Sequence, residues 1–254
     1  MKPKQWLDDF ITGFQFLTRI EICKHHDSSL ESFGRSVKFF PLIGAMLGLL
    51  LAAFLWGARQ YFGGLGPQNT LVAALIIGEV VLTGALHWDG FMDTFDGVFS
   101  GRDRERMLEI MKDSRVGAFG AMALALALLA RFTILTDLEP QLLPGVVILM
   151  PVAGRLAVVM TITFFPYARP SGLGHVFPSH RETGNLYVAL LFAAAMFAFL
   201  GLKAAIAGSS AVGCGLLFAA YVSGKLGGVT GDVYGAVNIV TELAAAALFL
   251  FLFS

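Results

Sequence analysis

LLPGVVILMPVAGRLAVVMTITFF, residues 142–165, holds a single charged side chain, Arg155. A helix of about 20 apolar residues crosses a bilayer. Outward from this run, six more stretches read as candidate spans, at about 37–57, 70–87, 116–135, 185–202, 206–224 and 234–253. The stretch 206–224 is the weakest, because Gly208, Gly213 and Gly215 lower its helix propensity, although glycines also let neighbouring helices approach closely. The chain of 254 residues is 56% hydrophobic and 14% charged, against about 25% charged in an ordinary soluble domain. The expected fold is an all-α, polytopic membrane helix bundle of about seven transmembrane helices, forming one integral membrane domain over residues 1–254.

Net charge is zero, so no global basic field points to nucleic acid. Basic residues instead alternate between loops. They are dense before the first span and in loop 88–115, with Arg102, Arg104, Arg106, Lys112 and Arg115, and are sparse or absent in the intervening loops. Basic loops favour the cytoplasmic side. This places the N-terminus inside and brings loops 88–115, 166–184 and 225–233 to the cytoplasmic face of an inner membrane. No cleavable signal is expected. Residues 1–18 read as an amphipathic helix on the membrane surface or on the protein, with Trp6, Phe10, Phe14 and Leu17 on one face and Asp8 and Asp9 between them. Cys23 and Cys214 match no metal spacing and read as packing residues without a disulfide.

Function is concentrated in His87-Trp88-Asp89-Gly90-Phe91-Met92-Asp93-Thr94-Phe95-Asp96-Gly97. On a helix Asp89, Asp93 and Asp96 fall within roughly 60° of one another. Three carboxylates on one apolar stripe are expensive unless a cation neutralises them, and Mg2+ suits oxygen ligands shared with substrate phosphates. His87 reads equally as a ligand contact or an interfacial residue. The run from Arg102 to Arg106 reads as well as a surface helix laced with ion pairs as it does as a phosphate site. Lys112 and Arg115 are favoured as phosphate contacts.

A second constellation is Gly227-Gly228-Val229-Thr230-Gly231-Asp232, followed by Glu242. Thr230 or Asp232 can cap the last span. Glu242 lies about 15 Å into that helix, where an ionisable group needs a partner or a function. Arg155 is the expected partner, with Glu79 a rival for it. Arg131 is expected to snorkel outward without a role. Arg169, in the long loop after the fourth span, reads as a phosphate or nucleotide contact or as a basic anchor.

The string HWDGFMDTFDGVFSGRDRERMLEIMKDSRVGAFGAMAL, residues 87–124, closely resembles the signature of the cobalamin synthase family, the adenosylcobinamide-GDP ribazoletransferases. The resemblance extends to FPLIGAMLG at 40–48, to GRL and PYARPSGLGHVF within 154–177, and to LGGVTGDVYGAVNIVTE at 226–242, and so covers nearly the whole chain in order. Met92 stands where the family usually has a small residue. The resemblance implies a Mg2+-dependent membrane enzyme. It joins adenosylcobinamide-GDP to alpha-ribazole or its 5'-phosphate and releases GMP. The family's Asp-rich element maps onto Asp89, Asp93 and Asp96 as metal ligands, and its GDxxGA element onto Asp232 and Gly235. In the mechanism this suggests, Asp96 is the first choice for the proton acceptor, with Asp93 beside it. His87, Lys112, Arg115, Arg155, Arg169, Asp232 and Glu242 are the substrate-side residues. Membrane lipids are expected partners; a homo-oligomer and docking of other cobalamin-pathway enzymes are left open.

Two other readings compete. CDP-alcohol phosphatidyltransferases also use spaced aspartates and Mg2+, but carry an Ala-Arg pair soon after the first Asp-Gly, where this chain has Phe91-Met92-Asp93. A cation transporter would use Asp89, Asp93, Glu79 and Glu242 along a path through the bilayer.

Overall fold

The structure is a computed structural model describing residues 3–253 apart from 25, 28, 65, 171, 172 and 180–182. Its helices are α1 (Pro3–Leu17), α2 (Leu30–Ser36), α3 (Phe40–Tyr61), α4 (Gln68–Thr83), α5 (Leu86–Val98), α6 (Arg104–Ile110), α7 (Ala118–Asp137), α8 (Leu143–Phe164), α9 (Leu173–Ser179), α10 (Thr183–Leu200), α11 (Leu202–Leu226) and α12 (Gly231–Phe253). Among the described residues the only extended pairing is one isolated bridge, Tyr167 with Val229. The all-α, multi-pass membrane bundle expected from the sequence is what forms.

By length and composition, five helical stretches suffice to cross a membrane, ending in α3, α7, α8, α11 and α12. A sixth follows if α4 and α5 form one broken span. The apolar run 184–200 in α10 is shorter, so this measure does not reach the expected seven. The expected weak point is reversed. Residues 206–224 lie within the unbroken 25-residue helix α11. Two of its glycines serve contact, while Gly213 faces open space: a Cβ on Gly215 would overlap the Thr241 hydroxyl, and one on Gly208 would lie 2.8 Å from the Phe197 ring.

The central helix is α8, buried along most of its length from Leu143 to Ile162. Its neighbours come close because they present small residues. A Cβ on Gly44 of α3 would lie 2.4 Å from the Pro151 carbonyl, and one on Gly48 would lie 2.6 Å from the Ile148 Cα. Small residues at such crossings let helix backbones pack by van der Waals contact where lipid supplies no hydrophobic drive.

The second candidate span does not continue into the aspartate stripe. It breaks at Gly84 (φ 61°) and Ala85 (φ 60°), two successive left-handed residues, and α5 leaves at 90° to α4. The Arg19 guanidinium occupies the space a Cβ at Gly84 would need, and the Arg19 N–H donates to the Leu82 carbonyl at 2.7 Å. The far end of α4 is tied to the far end of α7, where the Gln68 amide donates to the Thr136 and Leu138 carbonyls.

Helix α1 settles on the protein. Asp9, read from sequence as a polar residue between apolar ones, is fully buried. It accepts from Lys38 Nζ at 2.6 Å, Ser32 Oγ at 3.0 Å and Arg35 Nε at 3.2 Å. Among the described residues, Cys23 and Cys214 form no disulfide.

Candidate functional site

Loops from three parts of the chain meet at one end of the bundle. The turn before α12 and the loop after α8 are stitched by two backbone bonds, Ala168 N–H to the Val229 carbonyl and Val229 N–H to the Pro166 carbonyl, each 2.8 Å. Gly228 permits this approach, because a Cβ there would lie 2.7 Å from the Pro166 carbonyl oxygen. Arg104 of α6 closes the assembly: Nε donates to the Leu226 carbonyl at 2.7 Å and Nη2 to the Ala168 carbonyl at 3.2 Å. In the run from Arg102 to Arg106, Arg104 therefore anchors the C-terminus of α11, and Arg106 pairs with Glu109 at 2.7 Å on the surface.

Helix α5 crosses the first turn of α12 at glycines. A Cβ on Gly90 would lie 2.7 Å from the Asp232 carbonyl oxygen, and one on Gly235 would lie 2.9 Å from the His87 carbonyl oxygen. The crossing sets Asp89 and Asp93 of α5 beside Asp232 of α12. Asp93 lies within electrostatic reach of Asp89, Asp232, Asp96 and Arg169. Thr230 caps α12, accepting from the Val233 N–H at 3.3 Å and donating to Asp232 at 3.2 Å. Asp232 then pairs with Arg169 at 3.0 Å, and Arg169 also donates to the Leu108 carbonyl.

The three aspartates of α5 are not equivalent. Asp89 is exposed, Asp93 half-buried and Asp96 buried. Asp96 caps α7: one oxygen accepts from Gly117 N–H and the other from Gly120 N–H, each at 2.8 Å. The positive end of a helix dipole stabilises such a carboxylate. Gly117 and Gly120 make room for it, since a Cβ on either would lie within 2.4 Å of an Asp96 oxygen. The sequence signal for this role was present as GAFG at 117–120, just after the basic helix.

A cavity of about 260 Å³ opens beside this crossing. Asp89, Arg169 and Asp232 line it on one side, with His87, Gly90 and Gly235 at the helix crossing and Phe16, Phe40, Phe177 and Tyr234 as aromatic walls. Burial pushes the phenol of Tyr167, another lining residue, above its usual range, so it stays protonated at neutral pH. Negative charge exceeds positive here: Asp89, Asp93 and Asp232 face one cation, Arg169. The donors are all carboxylate oxygens, suited to a hard cation. Among the described residues, no three His, Cys, Asp or Glu side chains converge into a ready-made metal cage.

Other sequence candidates lie away from the cavity. Arg115 is exposed and binds Asp113 at 2.6 Å, which with its other hydrogen bonds holds the Asp113 carboxyl down at about 2. Lys112 is exposed and does not line the cavity. Arg155 and Glu242 pair as expected, at 2.8 Å, but inside the bundle. Arg131 corrects its reading. Instead of snorkelling it is buried, contacting Glu79 and reaching Glu242 at 3.2 Å, with its guanidinium 5.8 Å from the Trp88 ring. Asn238 donates to Glu242 at 2.8 Å. Glu79 therefore partners Arg131 rather than Arg155. Outward extension would strand Glu79 in an apolar interior, and the inward rotamer neutralises it.

Comparison with known proteins adds a family-level finding. The profile described as cobalamin-5-phosphate synthase matches residues 9–250. A protein of Roseiflexus sp. (strain RS-1), named adenosylcobinamide-GDP ribazoletransferase, is 39% identical over 96% of this chain and 91% of its own length. One of the same name from Desulfitobacterium hafniense (strain Y51) is 38% identical over 90% of this chain and 91% of its own. Another from Clostridium acetobutylicum is 34% identical over 89% of each. No solved structure matches the chain.

Proposed function

We propose a function that starts from one premise: the chain belongs to the cobalamin-5-phosphate synthase family. On this reading it is a membrane-bound transferase. It joins adenosylcobinamide-GDP to alpha-ribazole or its 5'-phosphate, giving adenosylcobalamin or its phosphate and GMP. The observation that supports the assignment of the site is the meeting of Asp89, Asp93 and Asp232 with Arg169 at one helix crossing, where Asp89, Asp232 and Arg169 line a cavity.

The residues fit Mg2+. The donors are anionic oxygens, outnumber the neighbouring cation, and leave room for substrate phosphates to complete the shell, the mode in which Mg2+ usually binds. Asp89 and Asp93 are the residues that would hold it. When bound, the ion neutralises charge on the diphosphate and on the departing GMP. Asp96, the first sequence choice for the proton acceptor, already accepts two backbone N–H bonds. We therefore assign proton acceptance to Asp93. A ribazole hydroxyl loses its proton to Asp93, its oxygen bonds to the phosphorus attached to the corrinoid, and the bond from that phosphorus to GMP breaks. Arg169 balances charge on the phosphates, and Asp232 orients the guanidinium. Positioning and charge neutralisation supply most of the rate, as in other phosphoryl transfers.

The transporter reading loses its basis, because Glu79 and Glu242 are neutralised by Arg131 and Arg155. The alternation of basic loops supports a cytoplasmic site in a bacterial inner membrane. A periplasmic reporter fused after Leu65 should be active and one after Arg102 silent; the reverse pattern inverts the orientation. The activity is tested by incubating membranes containing the full chain with adenosylcobinamide-GDP, ribazole and Mg2+ and measuring GMP. Release should stop on chelation and return with Mg2+. Absence of GMP above empty membranes rejects the reading.

A further inference from the structure

We infer that the cavity beside Asp89 seats the aromatic base of the incoming nucleoside, a benzimidazole-type ring, while the corrinoid stays outside. This inference rests on the transferase reading for the identity of the nucleoside.

Size comes first. The cavity measures about 260 Å³, just below the span of roughly 300–1,000 Å³ typical for drug-sized ligands. It has room for one bicyclic ring and part of a sugar. A corrin macrocycle with its amide arms is larger than the whole space.

Wall chemistry is the second argument. Phe177 lies at the centre of an aromatic enclosure, with ring centroids 5.7 Å from Phe16, 5.7 Å from Phe40 and 6.4 Å from Tyr234. These rings pack directly on one another and form one continuous aromatic wall of the cavity, a surface against which a planar apolar ring can lie.

Third, the enclosure contains unused polar atoms. His87 and Tyr234 are 8% and 5% exposed, and His87 Nε2 and Tyr234 Oη have no hydrogen-bond partner among the described residues. Leaving such atoms buried and unpaired is unfavourable. Once its sugar is attached, a benzimidazole has one free ring nitrogen, an acceptor that the Tyr234 hydroxyl can satisfy. Guanine carries several donors and acceptors on its edge. On the side of the cavity formed by Phe16, Phe40 and Phe177 those groups would find no partner, at a cost. Because Asp89 and Asp232 line the same cavity, a base held there keeps its ribose close to the reacting carboxylates.

The test uses the purified full chain in lipid nanodiscs and equilibrium dialysis with ribazole and, separately, guanosine. Ribazole should bind at least about tenfold more tightly, the scale on which an apolar pocket discriminates. Phe177→Leu keeps an apolar side chain but removes the stacking face, and Tyr234→Phe removes only the hydroxyl. Each should weaken ribazole binding several-fold and raise its KM, with the KM for adenosylcobinamide-GDP changed by less than about twofold. Tighter binding of guanosine overturns the assignment. So does a folded Phe177→Leu with unchanged ribazole affinity, or an effect confined to the corrinoid substrate. Dialysis requires no turnover. Ribazole binding that responds to these substitutions in membranes releasing no GMP therefore supports the cavity assignment and rejects the transferase reading instead.

Discussion

Two groups of carboxylates in this molecule have the same chemistry and opposite surroundings. Glu79 and Glu242 lie inside the bundle and meet Arg131 and Arg155, charge for charge. Asp89, Asp93 and Asp232 lie at the end of the bundle beside a cavity and share one arginine. The first group is balanced in charge, two carboxylates against two guanidinium groups. The second retains a surplus of negative charge that a cation and its phosphate partners can neutralise. On the proposed reading burial alone does not mark function: Glu242, fully buried, has its charge met by Arg155 and Arg131. On the same reading, the balance of charge at each place separates support from chemistry.

The largest test of this contrast is removal of the surplus charge. Asp89→Ala or Asp93→Ala should each lower GMP release by about a hundred- to a thousandfold, the scale of lost electrostatic stabilisation at a reacting centre. The thermal midpoint should move by no more than a few degrees. Retained turnover in both variants breaks the contrast. Next in size is the closed network. Arg155→Met should destabilise the protein by about 3–5 kcal/mol, because it leaves buried Glu242 short of charge. This would be read as an early thermal transition in detergent. Replacing Glu79 and Arg131 together by Met should cost less than replacing Arg131 alone, since a buried pair exchanged whole for apolar side chains is often tolerated. Equal losses would mean that the network does more than neutralise itself.

A smaller effect is expected at the α7 cap. Gly120→Ala places a methyl 2.4 Å from an Asp96 oxygen and 2.8 Å from the Met92 carbonyl, and should cost about 1–3 kcal/mol as overpacking does. An unchanged melting curve would show that Asp96 has no capping role and would return it to the list of acids available for catalysis. The finest distinction separates two arginines. Arg169→Lys loses the planar fork and should raise the KM for adenosylcobinamide-GDP about tenfold. Arg115→Ala removes an exposed side chain engaged with Asp113 and should change that KM less than twofold. Equal effects would restore Arg115 to phosphate binding.

Much of this was legible in the chain itself. Long apolar runs can satisfy their backbone polar groups in lipid only as helices, so the membrane bundle followed from composition and span length. The Asp89-x-x-x-Asp93 spacing and the GDxxGA turn marked two segments that the fold brings together at the α5–α12 crossing, and the depth of Glu242 called for Arg155. The directions of side chains were not legible. Arg131 turns inward, Asp96 turns to α7, and Asp9 goes under Lys38, because each choice depends on a charge or a free N–H supplied by a distant segment. Two left-handed residues at Gly84 and Ala85 bent the aspartate helix away from its span, a turn that hydropathy does not register. Sequence determined which groups are present and that lipid surrounds them. Only tertiary contact decided which charges cancel and which stay open to a ligand, because electrostatic neutralisation acts over a few ångströms of space rather than over positions in the chain.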